Sequence, residues 1–279
     1  MDKNFTQIKI ATLNFNGEIF WSINIRPRLP EDLFNIKRIK NIMLGKIKNG
    51  LKYLLSENDF DIIAVQEMLY SPKETRDEIK AYIETMGYDF IYPNKLSPCT
   101  HFSVGFIVKK RNKISNLIIK TDDDISNDDI SKNKKMLITF KVGKNNYKVL
   151  NVHLTKHSDK TNQSLVKFLE GKNDTSIRIL LGDFNAYNKN QIEGSNKLCE
   201  NAELINNLIS KDCRTEFGEQ ENKNYTFFVN GIWKKLDHIF ISKPSNIDII
   251  KIEEKVENSV NFYSDKNGFT DHSMLTILV

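Results

Sequence analysis

The sequence predicts an α/β fold made of two similar halves. Three observations carry this. Short apolar segments of strand length alternate with longer segments of helical periodicity. The order strand–helix–strand followed by several strands occurs twice along the chain. The apolar segments end in polar residues, so functional side chains collect where strands stop.

Ile8–Leu13 is a short buried strand that runs into the turn-prone Asn14–Gly17. A loop rich in Pro and Arg follows, from Glu18 to about Asn35. Ile36, Ile39, Met43, Ile47, Leu51 and Leu54 recur at 3.6-residue spacing and predict a helix with one apolar face. Asp61–Val65 is a second buried strand, with Gln66 and Glu67 at its C-terminal end. Ser71, Pro72 and Glu74 make a capping box with proline at the first helical position. The helix they start buries Ile79, Ile83 and Met86 and ends at Gly87.

Strands are expected near 103–109, 114–120, 135–142 and 146–154. Met136, Ile138, Phe140 and Val142 alternate with Leu137, Thr139 and Lys141, the period-2 pattern of a strand. The acidic run Asp122–Asp129 lies between two of these strands and is followed by Lys132, Lys134 and Lys135. It reads as a solvated hairpin loop, because it lacks the regular ligand spacing and the glycine of a calcium loop. A helix near 159–170 leads to the strand Ile177–Leu181, which ends in Gly182-Asp183-Phe184-Asn185. A further helix is expected near 198–210, then strands near 224–230, 235–242 and 272–279. With no low-complexity linker and no short repeat, residues 1–279 read as one domain.

Composition narrows the function classes. Of 279 residues, 39% are apolar and 28% charged, which describes a folded chain and not a disordered one. The net charge of +5 favours anionic partners without the concentrated basic patch of a dedicated DNA-binding domain. The three cysteines, Cys99, Cys199 and Cys213, are widely spaced and form neither a metal pair nor a disulfide framework. Met1–Gln7 is polar, Ile8–Leu13 is too short for a signal-peptide core, and no apolar run approaches the ~20 residues of a membrane helix. Taken from Met1, the chain is expected in the cytoplasm, with no transmembrane segment.

Asn14, Glu67, His153, Asp183, Asn185, Asp237, Asp271 and His272 all follow or flank apolar strands. Strand ends on one edge of a sheet converge in space. Each residue also has a plain structural reading: a turn asparagine, a loop-capping glutamate, a hydrogen-bonded core histidine or a surface acid. Their joint occurrence, in order, favours a site.

The segments Thr12-Leu13-Asn14, Gln66-Glu67, Asn151-Val152-His153-Leu154, Leu181-Gly182-Asp183-Phe184-Asn185, Tyr225-Thr226-Phe227, Leu236-Asp237 and Thr270-Asp271-His272-Ser273 resemble the endonuclease/exonuclease/phosphatase superfamily, in its deoxyribonuclease-like form. They span almost the whole chain. The Gly-Asp-x-Asn segment and the terminal Asp-His are the most specific. The resemblance implies a four-layer α/β/β/α sandwich of two mixed sheets with helices outside. It also implies a hydrolase of phosphate esters that uses Mg²⁺, with Mn²⁺ as a substitute.

Chemistry favours the same assignment. A phosphodiester is an anion, so its hydrolysis needs an activated water, stabilisation of transition-state charge and help for the leaving oxygen. Mg²⁺ takes few protein carboxylates and keeps several waters. Glu67, with Asn14 and Asp271, suits such an ion, which would also relieve repulsion among Glu67, Asp183, Asp237 and Asp271. Asp271 and His272 are adjacent, so in a strand they point to opposite faces. Asp237 is therefore expected to orient His272, with Asp271 turned to the metal; the resemblance implies the same pairing. His272 would act as a general base on water or bind a phosphoryl oxygen. Asp183 would position water or assist the leaving group. Asn185 would donate to the phosphate from the same side, if 183–185 is extended. His153 would stabilise the phosphate or protonate the leaving oxygen.

Asn151-Val152-His153-Leu154 matches the deoxyribonuclease, sphingomyelinase and phosphatase branches better than the abasic-site endonucleases. Around Phe102–Gly105 there is no evident acidic partner for His153 of the kind secreted deoxyribonucleases use. Trp21, Arg26 and Arg28 could stack on bases and pair with phosphates, or could belong to a structural loop. The leading expectation is a metal-dependent nuclease with nucleic acid, DNA above all, as partner. The alternatives are a phospholipase C or sphingomyelinase-like enzyme, an inositol-phosphate phosphatase, and, last, a binding module without catalysis.

Overall fold

Alternation of side chains along the strands sets the layers of this fold. The computed structural model describes residues 7–15, 32–69, 73–93, 102–110, 113–120, 135–154, 159–170, 175–185, 227–229, 232–234, 236–242, 255–257, 272 and 274–279. In chain order these residues form β1 (Lys9–Asn14), α1 (Asp32–Glu57), β2 (Ile62–Leu69), α2 (Lys73–Thr85), β3 (Tyr88–Ile91), β4 (Phe102–Lys109), β5 (Ile114–Lys120), β6 (Lys135–Val142), β7 (Asn145–His153), α3 (Asp159–Glu170), β8 (Ile177–Asp183), β9 (Phe227–Val229), β10 (Ile232–Lys234), β11 (Asp237–Ser242), β12 (Lys255–Glu257) and β13 (Met274–Leu278).

The strands make a six-stranded sheet in the order β12-β13-β1-β2-β4-β3 and a five-stranded sheet in the order β11-β8-β7-β6-β5, with β9 and β10 paired separately. Each large sheet is organised around one parallel pair. In the first, β1 and β2 are parallel and α1 lies between them in sequence. In the second, β7 and β8 are parallel and α3 lies between them. Antiparallel strands flank both pairs: β13 and β4 in the first sheet, β6 and β11 in the second. The two similar halves expected from the sequence are present.

Ile8, Ile10, Ile62, Ala64, Val104, Phe106, Leu275 and Ile277 of the first sheet share one core with Ile138, Phe140, Val149, Ile179, Leu181, Ile239 and Ile241 of the second. The opposite faces bury different sets. Ala11, Leu13, Ile63, Val65 and Ile107 pack against Ile47, Leu51 and Leu54 of α1 and Ile79 and Ile83 of α2. Leu150, Val152, Leu180 and Phe240 pack against Leu165 and Leu169 of α3. The result is the four-layer α/β/β/α sandwich. Arg178 of β8 ties α3 down: its Nε donates to the Leu169 carbonyl at 3.0 Å. That bond satisfies an otherwise orphaned carbonyl and places a cation at the negative end of the helix.

The core is not wholly apolar. Gln66 of β2 donates through Nε2 to Oδ1 of Asn151 on β7 at 2.6 Å and to Oγ1 of Thr12 on β1 at 3.0 Å. All three side chains are fully buried. Asn151 returns both amide hydrogens to the first sheet, to the carbonyls of Val65 at 3.0 Å and Gly105 at 2.8 Å.

Several element bounds differ from expectation. β2 continues through Gln66 and Glu67 to Leu69, and β8 continues through Gly182 and Asp183. The expected strand near 235–242 is β11, preceded by a separate short strand that pairs with β9. The short strands β3 and β12 are not legible in the sequence, because three or four residues are too few to display a strand period. The helix near 198–210, the cap at Ser71 and Pro72, the acidic run Asp122–Asp129 and the three cysteines lie outside the described residues. β5 and β6, on either side of that run, pair antiparallel as a hairpin requires. No helix among the described residues is long and apolar enough to cross a membrane.

Gly182 is required by its neighbours. Its φ is +131°, and a β-carbon there would lie 2.0 Å from the carbonyl oxygen of Val152. The clash cannot be relieved without separating β7 from β8, and the backbone strain of a side chain at this φ would remain. Gly182→Ala should therefore lower stability by about 3 kcal/mol or more, read from urea unfolding midpoints. A change within about 0.5 kcal/mol would show that the close approach is not needed.

Candidate active site at the mouth of the sandwich

The inner face of each central strand is apolar along its length and polar at one end. In β1 it runs Ile10, Thr12, Asn14; in β7, Tyr147, Val149, Asn151, His153; in β8, Ile177, Ile179, Leu181, Asp183. The polar ends lie in register. Asn14 is beside Gln66, His153 beside Asp183, and Asp183 beside Asp237 at the start of β11. The charged groups therefore gather at one mouth of the sandwich, where the apolar core ends.

Adjacent residues on a regular strand face opposite ways, yet Gln66 and Glu67 both serve the interior. A bulge makes this feasible. Val65 pairs with Gly105 and Met68 with Ser103, so Gln66 and Glu67 together oppose Val104 alone. Glu67 takes the left-handed conformation, with φ +50°. Gln66 reaches across to Asn151, and the Glu67 carboxylate accepts from Asn14 Nδ2 at 3.2 Å. Glu67 Oε1 also lies 3.4 Å from His153 Nε2, and Asp183 Oδ2 lies 3.7 Å from the same nitrogen. The acidic neighbours of His153 thus come from β2 and β8.

Asp183 accepts from Asn14 Nδ2 at 2.9 Å and from the backbone N–H of Asn185 at 2.7 Å. Asn185 has φ +47°, and its amide donates to the Leu154 carbonyl at 2.8 Å. This corrects one expectation: 183–185 is a tight turn closed by the aspartate, not an extended segment. His272 and Asp237 are paired as expected, with Nδ1 2.8 Å from Oδ2. Asp271, Trp21, Arg26 and Arg28 lie outside the described residues.

Thr12, Gln66 and Asn151 belong to the motif segments, but the sequence alone gives them no role. The available signal was an amide or hydroxyl at an inward position of a strand otherwise apolar on that face.

Two groups of donors can each hold a metal ion: Glu67, His153 and Asp183, and Asp183, Asp237 and His272. In each, the ligand atoms lie within 4.8 Å of one another. Asp183 belongs to both. Burial, and then the charge of Asp237, push its carboxyl up to about 7, against the opposing effects of His272, the Asn185 N–H and the Asn14 amide. A carboxylate so disfavoured, surrounded by hard oxygen donors and imidazole, fits a divalent cation. Asn14 uses its NH₂ here to bridge Glu67 and Asp183; as a metal ligand it would present the oxygen of the same amide.

The raised value has a stability consequence. Because the folded value exceeds the unfolded one, the contribution of Asp183 is fully present below the ordinary aspartate range and is lost as pH rises through about 7. In EDTA, wild-type Tm should fall between about pH 5 and pH 8, and fall less in Asp183→Asn, which holds a neutral isostere. Parallel pH profiles for the two proteins would assign the effect to another group.

No protein-family model and no curated protein sequence matches the chain. Solved structures do. A D. rerio TDP2 complexed with single strand DNA product superposes with a TM-score of 0.61 at 14% identity, covering 98% of this chain and 99% of that one. An endonuclease/exonuclease/phosphatase family protein from Leptotrichia buccalis gives 0.59 at 18% identity over 97% and 98% of the two chains. The endonuclease domain of TRAS1, a telomere-specific non-LTR retrotransposon, gives 0.56 at 11% identity over 97% of each. With both sheets, the outer helices and the sandwich mouth in place, the chain has the fold of the endonuclease/exonuclease/phosphatase superfamily, the family its motifs resemble.

Proposed function

We propose that the chain is a Mg²⁺-dependent phosphoesterase, and specifically a nuclease that hydrolyses phosphodiester bonds in DNA. One observation carries the reading: Asn14, Glu67, His153, Asp183, Asp237 and His272, from six separate strands or their flanks, converge on one buried acidic mouth. Structural use alone does not explain several carboxylates gathered where at least one resists ionisation.

Glu67, Asn14 and Asp271 would hold the ion, and Mn²⁺ would substitute for Mg²⁺. When bound, the cation neutralises charge on the phosphoryl oxygens. His272, fixed through Nδ1 by Asp237, contacts a phosphoryl oxygen through its other ring nitrogen. Asp183 orients the attacking water. His153, between Glu67 and Asp183, is placed to donate to the phosphate or the leaving oxygen. Asn185, tethered by the Leu154 carbonyl, lines the same mouth. Trp21, Arg26 and Arg28 would contact the substrate strand. Two things support nucleic acid as substrate: the net charge of +5, and the structural neighbours described as a DNA complex and an endonuclease domain.

Purified protein should nick supercoiled plasmid with Mg²⁺ and not with EDTA. Asp183→Ala and His272→Ala should each remain folded and lose at least about 10²-fold in rate. A variant that keeps most of the activity removes that residue from the mechanism. Wild-type protein that leaves the plasmid intact, and shows no DNA affinity at low salt where phosphate contacts are strongest, rules out the nuclease reading. The substrate would then be another phosphate ester.

A further inference from the structure

We propose that Asn151 and Gln66 are positioning residues that hold the Glu67 bulge in its active shape, a role resting on the reading of Glu67 as a metal ligand. A glutamate at φ +50° occupies a sparsely populated backbone region. Such residues persist only where the surroundings over-determine them. The surroundings here are specific. Val65 and Gly105 are the last cross-strand pair before the β2 ladder shifts register. Asn151, from the opposite sheet, donates one amide hydrogen to each of their carbonyls. It thus clamps both strands at the point where regular pairing stops.

The acceptor side of the same amide closes the bulge. Asn151 Oδ1 takes the Gln66 Nε2 hydrogen at 2.6 Å, and Gln66 is the first of the two bulged residues. Thr12 holds Gln66 from the neighbouring strand at 3.0 Å. With Gln66 pinned inward, the extra residue turns through the left-handed region, and its carboxylate meets Asn14 and His153. Asparagine suits the post because it offers two donors and one acceptor at this reach. Leucine fills similar space with none, and aspartate would set an oxygen against two carbonyls. Asn151 also stands two residues before His153 on the same face of β7. One clamp therefore fixes the spacing between Glu67 and His153, which belong to different sheets.

The test uses Asn151→Leu in the full chain, with two readouts. In metal-free protein, amide hydrogen exchange across 62–69 should rise about tenfold or more while 177–181 in β8 stays at the wild-type rate. Mg²⁺ binding by calorimetry should weaken about tenfold or more, the range found when an outer partner of a metal ligand is removed. Should Asn151→Leu fail to fold, Gln66→Met removes the acceptor side of the clamp alone and should shift both readouts in the same direction by less. A folded variant with wild-type exchange and wild-type Mg²⁺ binding overturns the proposal. Wild-type protein that binds no Mg²⁺ would refute the metal reading of Glu67, while the exchange result would still decide whether Asn151 holds the bulge.

Discussion

The buried bridge between Gln66 and Asn151 is the constraint on which the site depends. Apolar burial holds the two sheets together, but it is non-directional and would tolerate small slides of one sheet over the other. Hydrogen bonds in a dry interior are directional and costly to leave unmade. One amide from each sheet, with Thr12 and the carbonyls of Val65 and Gly105, therefore fixes how the sheets meet. The site needs that registration. Asn14 and Glu67 come from the first sheet, and His153, Asp183 and Asp237 from the second.

The location of the site follows from the same physics. Inward positions deeper than Thr12 and Asn151 sit among apolar side chains such as Ile10, Val149 and Ile179, which could not satisfy a carboxylate. At the mouth, strand ends supply backbone donors and facing side chains. Asp183 shows the balance: Asn14 and the Asn185 N–H favour its charged form, while burial and Asp237 outweigh them. The cationic groups that the described residues bring against these carboxylates are the imidazoles of His153 and His272, a shortage of positive charge that a cation would relieve.

The two halves solve one problem with different backbone devices. Each ends a parallel strand pair in polar residues, yet the first uses a bulge with Glu67 at positive φ, and the second uses Gly182 and a turn through Asn185. In both, a residue is driven into an unusual conformation so that an acidic side chain faces the mouth. Such strain gathers at functional sites because regular strands present only every second residue.

Local patterning settled much of this protein. The periodic spacing of Ile47, Leu51 and Leu54, and the alternation along Met136–Val142, determined the helices and strands, because each residue's face is fixed by its own element. The ordered polar residues at strand ends named the candidate site; adjacency separated Asp271 from His272, and the family resemblance implied Asp237 as the partner of His272. Tertiary structure decided the rest. The bulge at Gln66 and Glu67, the tether of Asn185 to the Leu154 carbonyl and the contacts of Asn151 all depend on partners far away in sequence. Asn151 meets Val65 and Gly105 only because two sheets stack, and no pattern within either strand encodes that distance.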